Sequence, residues 1–253
     1  MIFILIERIL NFPEECKRKT KIFKEKIYSQ SEITNKNKTL FINSIDEIRW
    51  VFALNKDNIR IFPFINEDRN YSEVEVINVI LKEDKISKTI VEILLRYIPN
   101  PTILSFEHEN KISLFLAHKL LNRVDKRKTT IEKIIQAKWM EVDNLDDIDK
   151  YFLKSIQIEN LKASNFYNYY DKIINNIYLY NASKNVNKLL TPNINISQEE
   201  LFELSEEIIG NEKLIKNYNK QLDKESYSKK IVELNRKRTK ILNRQAEIEK
   251  IIS

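Results

Sequence analysis

The side chains best suited to acid–base or metal chemistry in this 253-residue chain are its two histidines, His108 and His118. They lie in and just after a segment whose pattern predicts a β-hairpin. A catalytic zinc site would take Glu107 or Glu109 as a third ligand beside them. Such a site requires a strand register that brings the two imidazoles together. The simpler interpretation is one histidine in a turn and one at a strand end, so no metal ligand is assigned.

A second group of charged residues, Glu109-Asn110-Lys111, has the acid-x-lysine pattern of restriction-type nucleases. Those enzymes hold a divalent ion between two carboxylates on adjacent strand ends, and Asp84 or Glu75 would have to supply the second carboxylate. The triplet falls at the tip of the predicted hairpin, where exposed charges are expected without any catalytic role. A metal-dependent nuclease is therefore an alternative function, and no catalytic residue is assigned.

Glycine and cysteine are so scarce that several classes of site are excluded. Gly210 is the only glycine, so neither a Walker A loop nor a GxGxxG fingerprint can be written. Cys16 is the only cysteine, which leaves no disulfide framework and no cysteine zinc cluster. The apolar run at residues 1–6 is far shorter than the roughly 20 residues of a membrane span. We expect a cytoplasmic protein without a cofactor and without a membrane segment.

The net charge of +6 is concentrated in the C-terminal segment. Residues 211–253 contain twelve Lys and Arg against six Asp and Glu, an excess equal to that of the whole chain, 43 against 37. Such a basic segment could bind phosphates in a salt-dependent and sequence-independent way. The candidate nucleic-acid-binding residues are Lys229, Lys230, Arg236, Lys237, Arg238, Lys240 and Arg244.

The same segment has a second use, as a coiled-coil-type helix that docks on a partner. Apolar residues recur at alternating three- and four-residue steps, and Arg238 and Gln245 fill two further positions of this seam. Docking on a partner helix or on a second copy of the chain is favoured, since charge runs are usually solvated faces. The two uses are compatible on opposite faces of one helix. The seam residues are Ile231, Leu234, Ile241, Ile248 and Ile252.

A tyrosine-rich segment precedes this arm. Aromatic faces near a cation, here Lys172, could stack single-stranded bases. Their helical spacing favours a packed helix face instead. The tyrosines are Tyr167, Tyr169, Tyr170, Tyr178 and Tyr180.

The elements that must position these side chains predict an α+β protein. Residues 73–82 and the hairpin at 103–117 predict strands, and residues 87–97 predict a helix. Ser44 to Glu47 has the form of a capping box, which predicts a helix through residue 54, and residues 59–62 predict a short strand.

Three regions follow from this pattern. Residues 1–145 form an α+β domain with a small mixed, mostly antiparallel sheet and short helices. Residues 146–196 form a helical, Tyr-rich segment and a linker. Residues 197–253 form a helical arm, basic and coiled-coil-type from 211, whose first helix begins at Ser197 and ends at Gly210.

Residues 45–54, 74–79 and 97–106 resemble the core of the bacterial and archaeal family known as domain of unknown function 4391. Residues 222–235 are similar to the C-terminal signature of that family, whereas residues 20–24 keep at most a remnant of its usual proline–lysine element. The resemblance brings no established catalytic residues. It implies genomic neighbours such as helicases and DNA methyltransferases of restriction-modification or phage-defence systems. The expected function is thus a non-catalytic accessory protein, with stand-alone nucleic-acid binding as another alternative.

Overall fold

The computed structural model describes residues 5–30, 33–122, 129–192 and 196–252. The contacts divide the chain into two compact units, Met1–Ile174 and Asn175–Ser253. Within the described residues there are eight α-helices: α1 (Leu5–Ile9), α2 (Lys24–Gln30), α3 (Asn35–Ser44), α4 (Lys88–Tyr97), α5 (Asp147–Ser155), α6 (Phe166–Val186), α7 (Gln198–Leu222) and α8 (Ser228–Ile252).

The strands all belong to the first unit. They are β1 (Lys17–Lys21), β2 (Ile45–Asn55), β3 (Phe64–Ile65), β4 (Asn70–Tyr71), β5 (Glu73–Leu81), β6 (Thr102–His108), β7 (Lys111–Leu116), β8 (Lys119–Leu121), β9 (Thr129–Ile131), β10 (Ile135–Gln136) and β11 (Met140–Glu141).

Seven of the described strands form one mixed sheet in the order β1-β2-β5-β6-β7-β10, with β11 also paired to β7. Its pairs are antiparallel except β5 and β6, which are parallel and connected through α4. A parallel pair needs such a crossover because a tight turn cannot join it. The predicted α+β class, the strand at 73–82, the helix at 87–97 and the hairpin are confirmed.

The main core lies on one face of the sheet, under α2, α3 and α4. Inward-facing residues of β5, β6 and β7 alternate with residues that point to the other face, as the period of a strand requires. The buried core residues are Ile27, Phe41, Ile45, Ile48, Ile77, Val79, Leu81, Ile90, Val91, Leu94, Leu95, Ile98, Leu104, Phe106, Phe115 and Ala117.

The N-terminal segment covers part of the opposite face. Glu107 follows the core residue Phe106 and so points to that face, where its Oε1 accepts a hydrogen bond from the Ile6 N–H at 2.8 Å. The rings of Phe12 and Phe52 meet edge to face, with centroids 5.1 Å apart. Burial raises the pKa of the Glu107 carboxyl, and the Ile6 N–H partly opposes that shift.

The helix predicted over residues 45–54 is wrong, because this segment is the central strand β2 between β1 and β5. Ser44 is the last residue of α3 rather than the cap of a new helix. The strand is buried over most of its length on both faces, so its sequence lacks the alternation of a half-buried strand. Its β-branched and aromatic residues, Ile48, Trp50 and Val51 among them, were the signal for a strand.

The strand predicted over residues 59–62 is also wrong. Residues 56–58 form a turn, and Phe62 makes a single bridge to Asn165. The first strand of the ribbon that follows, β3, begins only after Pro63.

Helix α7 begins as predicted but does not end at Gly210. The Oγ of Ser197 accepts a hydrogen bond from the Glu200 N–H at 3.1 Å, and the helix continues through Gly210 to Leu222. Gly210 has no positive φ, so nothing in its backbone requires glycine. Packing against α8 outweighs the low helix propensity of one glycine, which costs about 1 kcal/mol relative to alanine.

Helices α7 and α8 form an antiparallel hairpin in the second unit. Arg238 of α8 donates to Asn219 of α7 at 3.0 Å, and Arg244 donates to Glu207 at 2.7 Å. The order of these contacts runs in opposite directions along the two helices. The predicted linker falls partly on residues 193–195, which lie outside the described residues.

Replacing Gly210 with alanine is expected to stabilise the protein. An added methyl group would meet no atom within 4 Å, and alanine loses less backbone entropy on folding than glycine. We expect Gly210→Ala to raise the free energy of unfolding by about 0.5–1 kcal/mol in urea denaturation followed by circular dichroism.

The matched control is Ala246→Gly, at an exposed position of α8, which should lower the free energy of unfolding by a similar amount, about 1 kcal/mol. A loss of stability in Gly210→Ala would contradict the interpretation that this glycine has no structural requirement.

Candidate functional site

Two of the candidate cations on α8 hold the helical hairpin together. The Arg244 guanidinium donates two hydrogen bonds to the Glu207 carboxylate, at 2.7 and 2.9 Å, and these bonds lower the pKa of Glu207. A bidentate pair of this kind is among the stronger exposed ion pairs. Arg238 is half-buried and donates to Asn219. Neither arginine is a freely exposed cation.

Two further candidate cations are paired close to their own position in the chain. Lys230 Nζ lies 2.8 Å from a carboxylate oxygen of Glu225, and Lys237 Nζ lies 2.6 Å from Glu233. Ion pairs at such exposed positions contribute little to stability. They nevertheless neutralise these two lysines locally.

The remaining candidates, Lys229, Arg236 and Lys240, are exposed and make no ion pair with any described residue. They are spaced seven and four residues apart and therefore lie in one row along α8. With 100° of rotation per residue, this row is opposite the side occupied by the seam. The structure thus separates three unpaired cations from four that are engaged within the chain.

The predicted seam faces α7 of the same chain. Leu234, Ile248 and Ile252 are buried, and Ile231 and Ile241 are half-buried. The seam position Arg238 contacts α7, so this side of α8 is already covered. A partner helix would have to displace α7 or use another face of α8.

The hairpin also buries polar atoms that have no hydrogen-bond partner among the described residues. They are Arg238 Nε and Gln245 Oε1 on α8, and Asn211 Nδ2 and Ser205 Oγ on α7. Each such atom lowers stability by roughly 1–3 kcal/mol relative to a satisfied one. The seam is accordingly less stable than an apolar coiled coil of the same length.

The two histidines do not form one site. His108 pairs with Lys111 at the hairpin turn, and His118 lies seven residues beyond Lys111, past the other end of β7. At about 3.3 Å per residue, the two are roughly 20 Å apart. No group of three or more His, Cys, Asp and Glu side chains within the described ranges is arranged to hold a metal ion.

The acid-x-lysine triplet likewise does not meet Glu75. Glu75 pairs with Thr102 at the start of the parallel strands, whereas Glu109 lies in the hairpin turn at their far end, with a φ of 53°. Lys111 lies 3.9 Å from Glu141, and Asp84 is exposed after β5. Glu75 is therefore too far away to be the second carboxylate, whereas Asp84 follows the end of β5, where the Leu81 backbone oxygen lies 3.3 Å from His108 Nδ1.

His118 belongs instead to a network that the sequence did not predict. Its Nδ1 lies 2.7 Å from the hydroxyl of Tyr71, and its Nε2 lies 3.3 Å from Asp171 Oδ1. If the Tyr71 hydroxyl donates to Nδ1, the proton of the neutral ring is on Nε2 and points to Asp171. The ring stacks on Tyr167, with centroids 5.0 Å apart. Tyr71 is fully buried, and burial raises the pKa of its hydroxyl.

Arg69 completes the network around Tyr167. Its guanidinium donates to both carboxylate oxygens of Glu132, at 2.9 and 3.2 Å, and lies 5.3 Å from the centre of the Tyr167 ring. It also donates to the backbone oxygen of Lys119 at 3.3 Å. These contacts link α6 to the turn before β4 and to β8.

The tyrosines of the Tyr-rich segment are largely buried. The Tyr170 hydroxyl is buried and donates to the Thr102 backbone oxygen at 2.8 Å, and Tyr167 is half-buried. Lys172 donates to the Lys162 backbone oxygen at 2.5 Å. The packed-face interpretation agrees with this burial. The other buried members are Tyr169, Tyr178 and Tyr180.

A buried lysine and a buried glutamate lie near the start of the parallel strands. Lys119 Nζ donates to the backbone oxygens of Ile98 and Asn100, each at 2.5 Å, and thereby caps the C-terminal end of α4. Asn100 Nδ2 donates to Glu75 Oε1 at 3.2 Å, while Glu75 Oε2 has no partner among the described residues. Burial lowers the pKa of Lys119 to about 7 and raises that of Glu75 to about 7.

Cys16 is fully buried, and this burial raises the pKa of its thiol to about 11. Within the described residues, no helix is both long and apolar enough to cross a membrane.

The buried Glu75 carboxyl should make stability depend on pH. Its pKa is raised in the folded state, so folding binds a proton between about pH 4.5 and pH 7, and this contribution to stability is lost as the pH rises through that range. Glu75→Gln cannot ionise. Its free energy of unfolding relative to the parent should therefore increase by up to about 3 kcal/mol between pH 5 and pH 8.

The measurement is urea denaturation at several pH values, with the exposed Glu83→Gln as the control that should show no such trend. A pH-independent difference between Glu75→Gln and the parent would contradict a raised pKa at this position.

Comparison with known protein families identifies the family of this chain. A family model with the description "Domain of unknown function (DUF4391)" matches residues 10–246. No curated protein and no solved structure matches the chain. The match includes residues 20–24, where the resemblance is least clear in the sequence. Because the match spans nearly the whole length, the chain belongs to the DUF4391 family.

Proposed function

We propose that the protein is a non-catalytic accessory protein of a DNA-modification or phage-defence system and binds nucleic acid through the outer face of α8. The association with such a system rests on the family resemblance. The binding mode rests on α8, where Lys229, Arg236 and Lys240 have no carboxylate partner among the described residues. These unpaired cations are the observation that carries the proposal.

Electrostatics favours a polyanion on this row. An unpaired lysine that contacts a phosphate releases a condensed counterion, and this release is the main source of non-specific affinity. A lysine already paired with a carboxylate gains less, because the phosphate must compete with that carboxylate. From Lys229 to Lys240 the row spans eleven residues, or about 17 Å along the helix axis. That length matches roughly five nucleotides of one strand in B-form DNA.

The positions of the chemistry-bearing residues support a non-catalytic role. His108 and His118 are at opposite ends of β7, and Glu75 is far from the acid-x-lysine triplet. The cytoplasm, where nucleic acid and a reducing environment coincide, is the compartment we propose for a chain with a single, buried thiol.

A second candidate function is docking on a partner protein, such as a helicase, a DNA methyltransferase or a second copy of the chain. Val232 and Leu242 of α8 are 68% and 42% exposed. With the seam facing α7, these two residues and the exposed Ile251 are apolar contacts that α8 offers to another chain.

Two matched double variants test nucleic-acid binding by α8. Lys229→Gln/Lys240→Gln removes two unpaired cations, and Lys230→Gln/Lys237→Gln removes two paired ones, so the change in net charge is the same. Fluorescence anisotropy with a labelled 15-base-pair duplex should show weaker binding for the first variant. The slope of log K against log salt should fall in magnitude by about 1.8 for two lost phosphate contacts.

The paired-lysine variant should stay close to the parent in both affinity and salt dependence. Equal effects of the two variants would show that only net charge matters. That result would contradict the proposal that Lys229, Arg236 and Lys240 form the binding surface. If the parent does not bind the duplex at low salt while Val232→Glu/Leu242→Glu abolishes a partner complex, docking replaces nucleic-acid binding as the function of α8.

A further inference from the structure

A second cationic surface lies in the first unit, on the strand β1. Residues 17–26 contain six Lys and Arg and one acid, the densest basic run in the chain. The whole-chain balance conceals it, because acidic residues elsewhere before residue 211 offset its charge. Strand β1 is the edge of the main sheet, and in the described part of the chain it pairs with β2 only.

Several of these cations are not neutralised by a carboxylate. Lys19 is exposed without an ion pair to any described residue, and Arg18 donates to backbone oxygens. Lys24 donates to the backbone oxygen of Ile45. Lys82, which directly follows β5, donates to the backbone oxygen of Ile42. By contrast, Lys17 pairs with Glu14 and Lys21 with Glu47.

Two further cations lie close to Lys24. The pKa of Lys24 is lowered, first by burial and then by the nearby charge of Lys82, with Lys21 adding to the effect and Asp46 and Glu25 opposing it. Lys21 and Lys82 therefore both lie within electrostatic reach of Lys24.

An exposed aromatic ring lies within this surface. Phe23 is the second residue after β1 and is 55% exposed. Ile42, whose backbone oxygen accepts the hydrogen bond from Lys82, is 52% exposed. Lysines alone on an edge strand are explained by protection against edge-to-edge aggregation, and the irregular register between β1 and β2 serves the same end. That explanation does not account for a phenyl ring left in solvent among the cations.

We propose that the free edge of β1 and Phe23 bind single-stranded nucleic acid. Arg18, Lys19, Lys24 and Lys82 contact phosphates, and the Phe23 ring stacks on an unpaired base. Cations that follow a backbone, combined with an aromatic face for a base, are the two requirements of such binding. A duplex offers the phosphates but hides its base faces, so single strands are the preferred ligand. The site lies on a different unit from α8 and does not depend on the function proposed for α8.

The experiment measures binding of a fluorescein-labelled 15-nucleotide oligo(dT) and of a 15-base-pair duplex to the full chain by anisotropy. Each measurement is made in the parent and in the Lys229→Gln/Lys240→Gln background. The contribution of the β1 surface to binding is thereby measured separately from that of α8. Phe23→Ala should weaken oligo(dT) binding roughly tenfold, as loss of one stacked base predicts, and leave duplex binding nearly unchanged.

Related variants separate stacking from charge and from folding. Phe23→Leu keeps an apolar side chain and should lose affinity, whereas Phe23→Tyr keeps a ring and should retain it. Lys19→Gln/Lys82→Gln should reduce the magnitude of the salt slope by about 1.4, the expectation for two contacts on a single strand. Lys150→Gln/Lys154→Gln, exposed on α5, is the charge-matched control and should not change the slope.

Phe62→Ala is the control for a ring, since Phe62 is 64% exposed elsewhere in the same unit. The proposal is overturned if Phe23→Ala binds oligo(dT) within twofold of the parent, or if Phe62→Ala loses as much. It is also overturned if a poly-glutamate peptide competes as well as unlabelled oligo(dT), because the surface would then recognise acidic polymers in general.

Discussion

The near absence of glycine constrains every turn in this protein. The one glycine, Gly210, lies inside a helix, so the turns are built from other residues. These residues either keep a negative φ or adopt a positive φ without being glycine. Asparagine side chains fill this role by accepting hydrogen bonds from backbone N–H groups two or three residues further on. Asn55 does so for Asp57 at 3.0 Å and Asn66 for Arg69 at 2.7 Å. The same contact is made by Asn70 and Asn165.

These polar turns place the charged groups of the first unit. The Asn66 turn leads directly to Arg69, whose guanidinium binds Glu132 and lies over Tyr167. The cost of turns without glycine is visible in Glu109, a non-glycine residue with a φ of 53° in the hairpin turn. Local side-chain chemistry, rather than backbone freedom, thus shapes the loops that carry the polar networks.

The sequence predicted those parts of the fold that depend on local pattern. The hairpin and the helix at residues 87–97 are each encoded in a short run, whereas β2, which is buried on both faces, lacks the alternation that identifies a half-buried strand. The seam on α8 was visible as a heptad pattern, but the pattern does not say which helix covers it. Buried pairs such as Lys119 with the end of α4 join residues some twenty positions apart, and only the sheet topology brings them together.

The matched region and the folded region do not coincide at the N-terminus. The family match begins at residue 10, yet the Ile6 N–H is the hydrogen-bond donor to the buried Glu107 carboxylate. A chain trimmed to the matched limits would leave that carboxylate without its donor on the sheet face. Residues 5–9 are therefore part of the structural domain, although they lie outside the matched range.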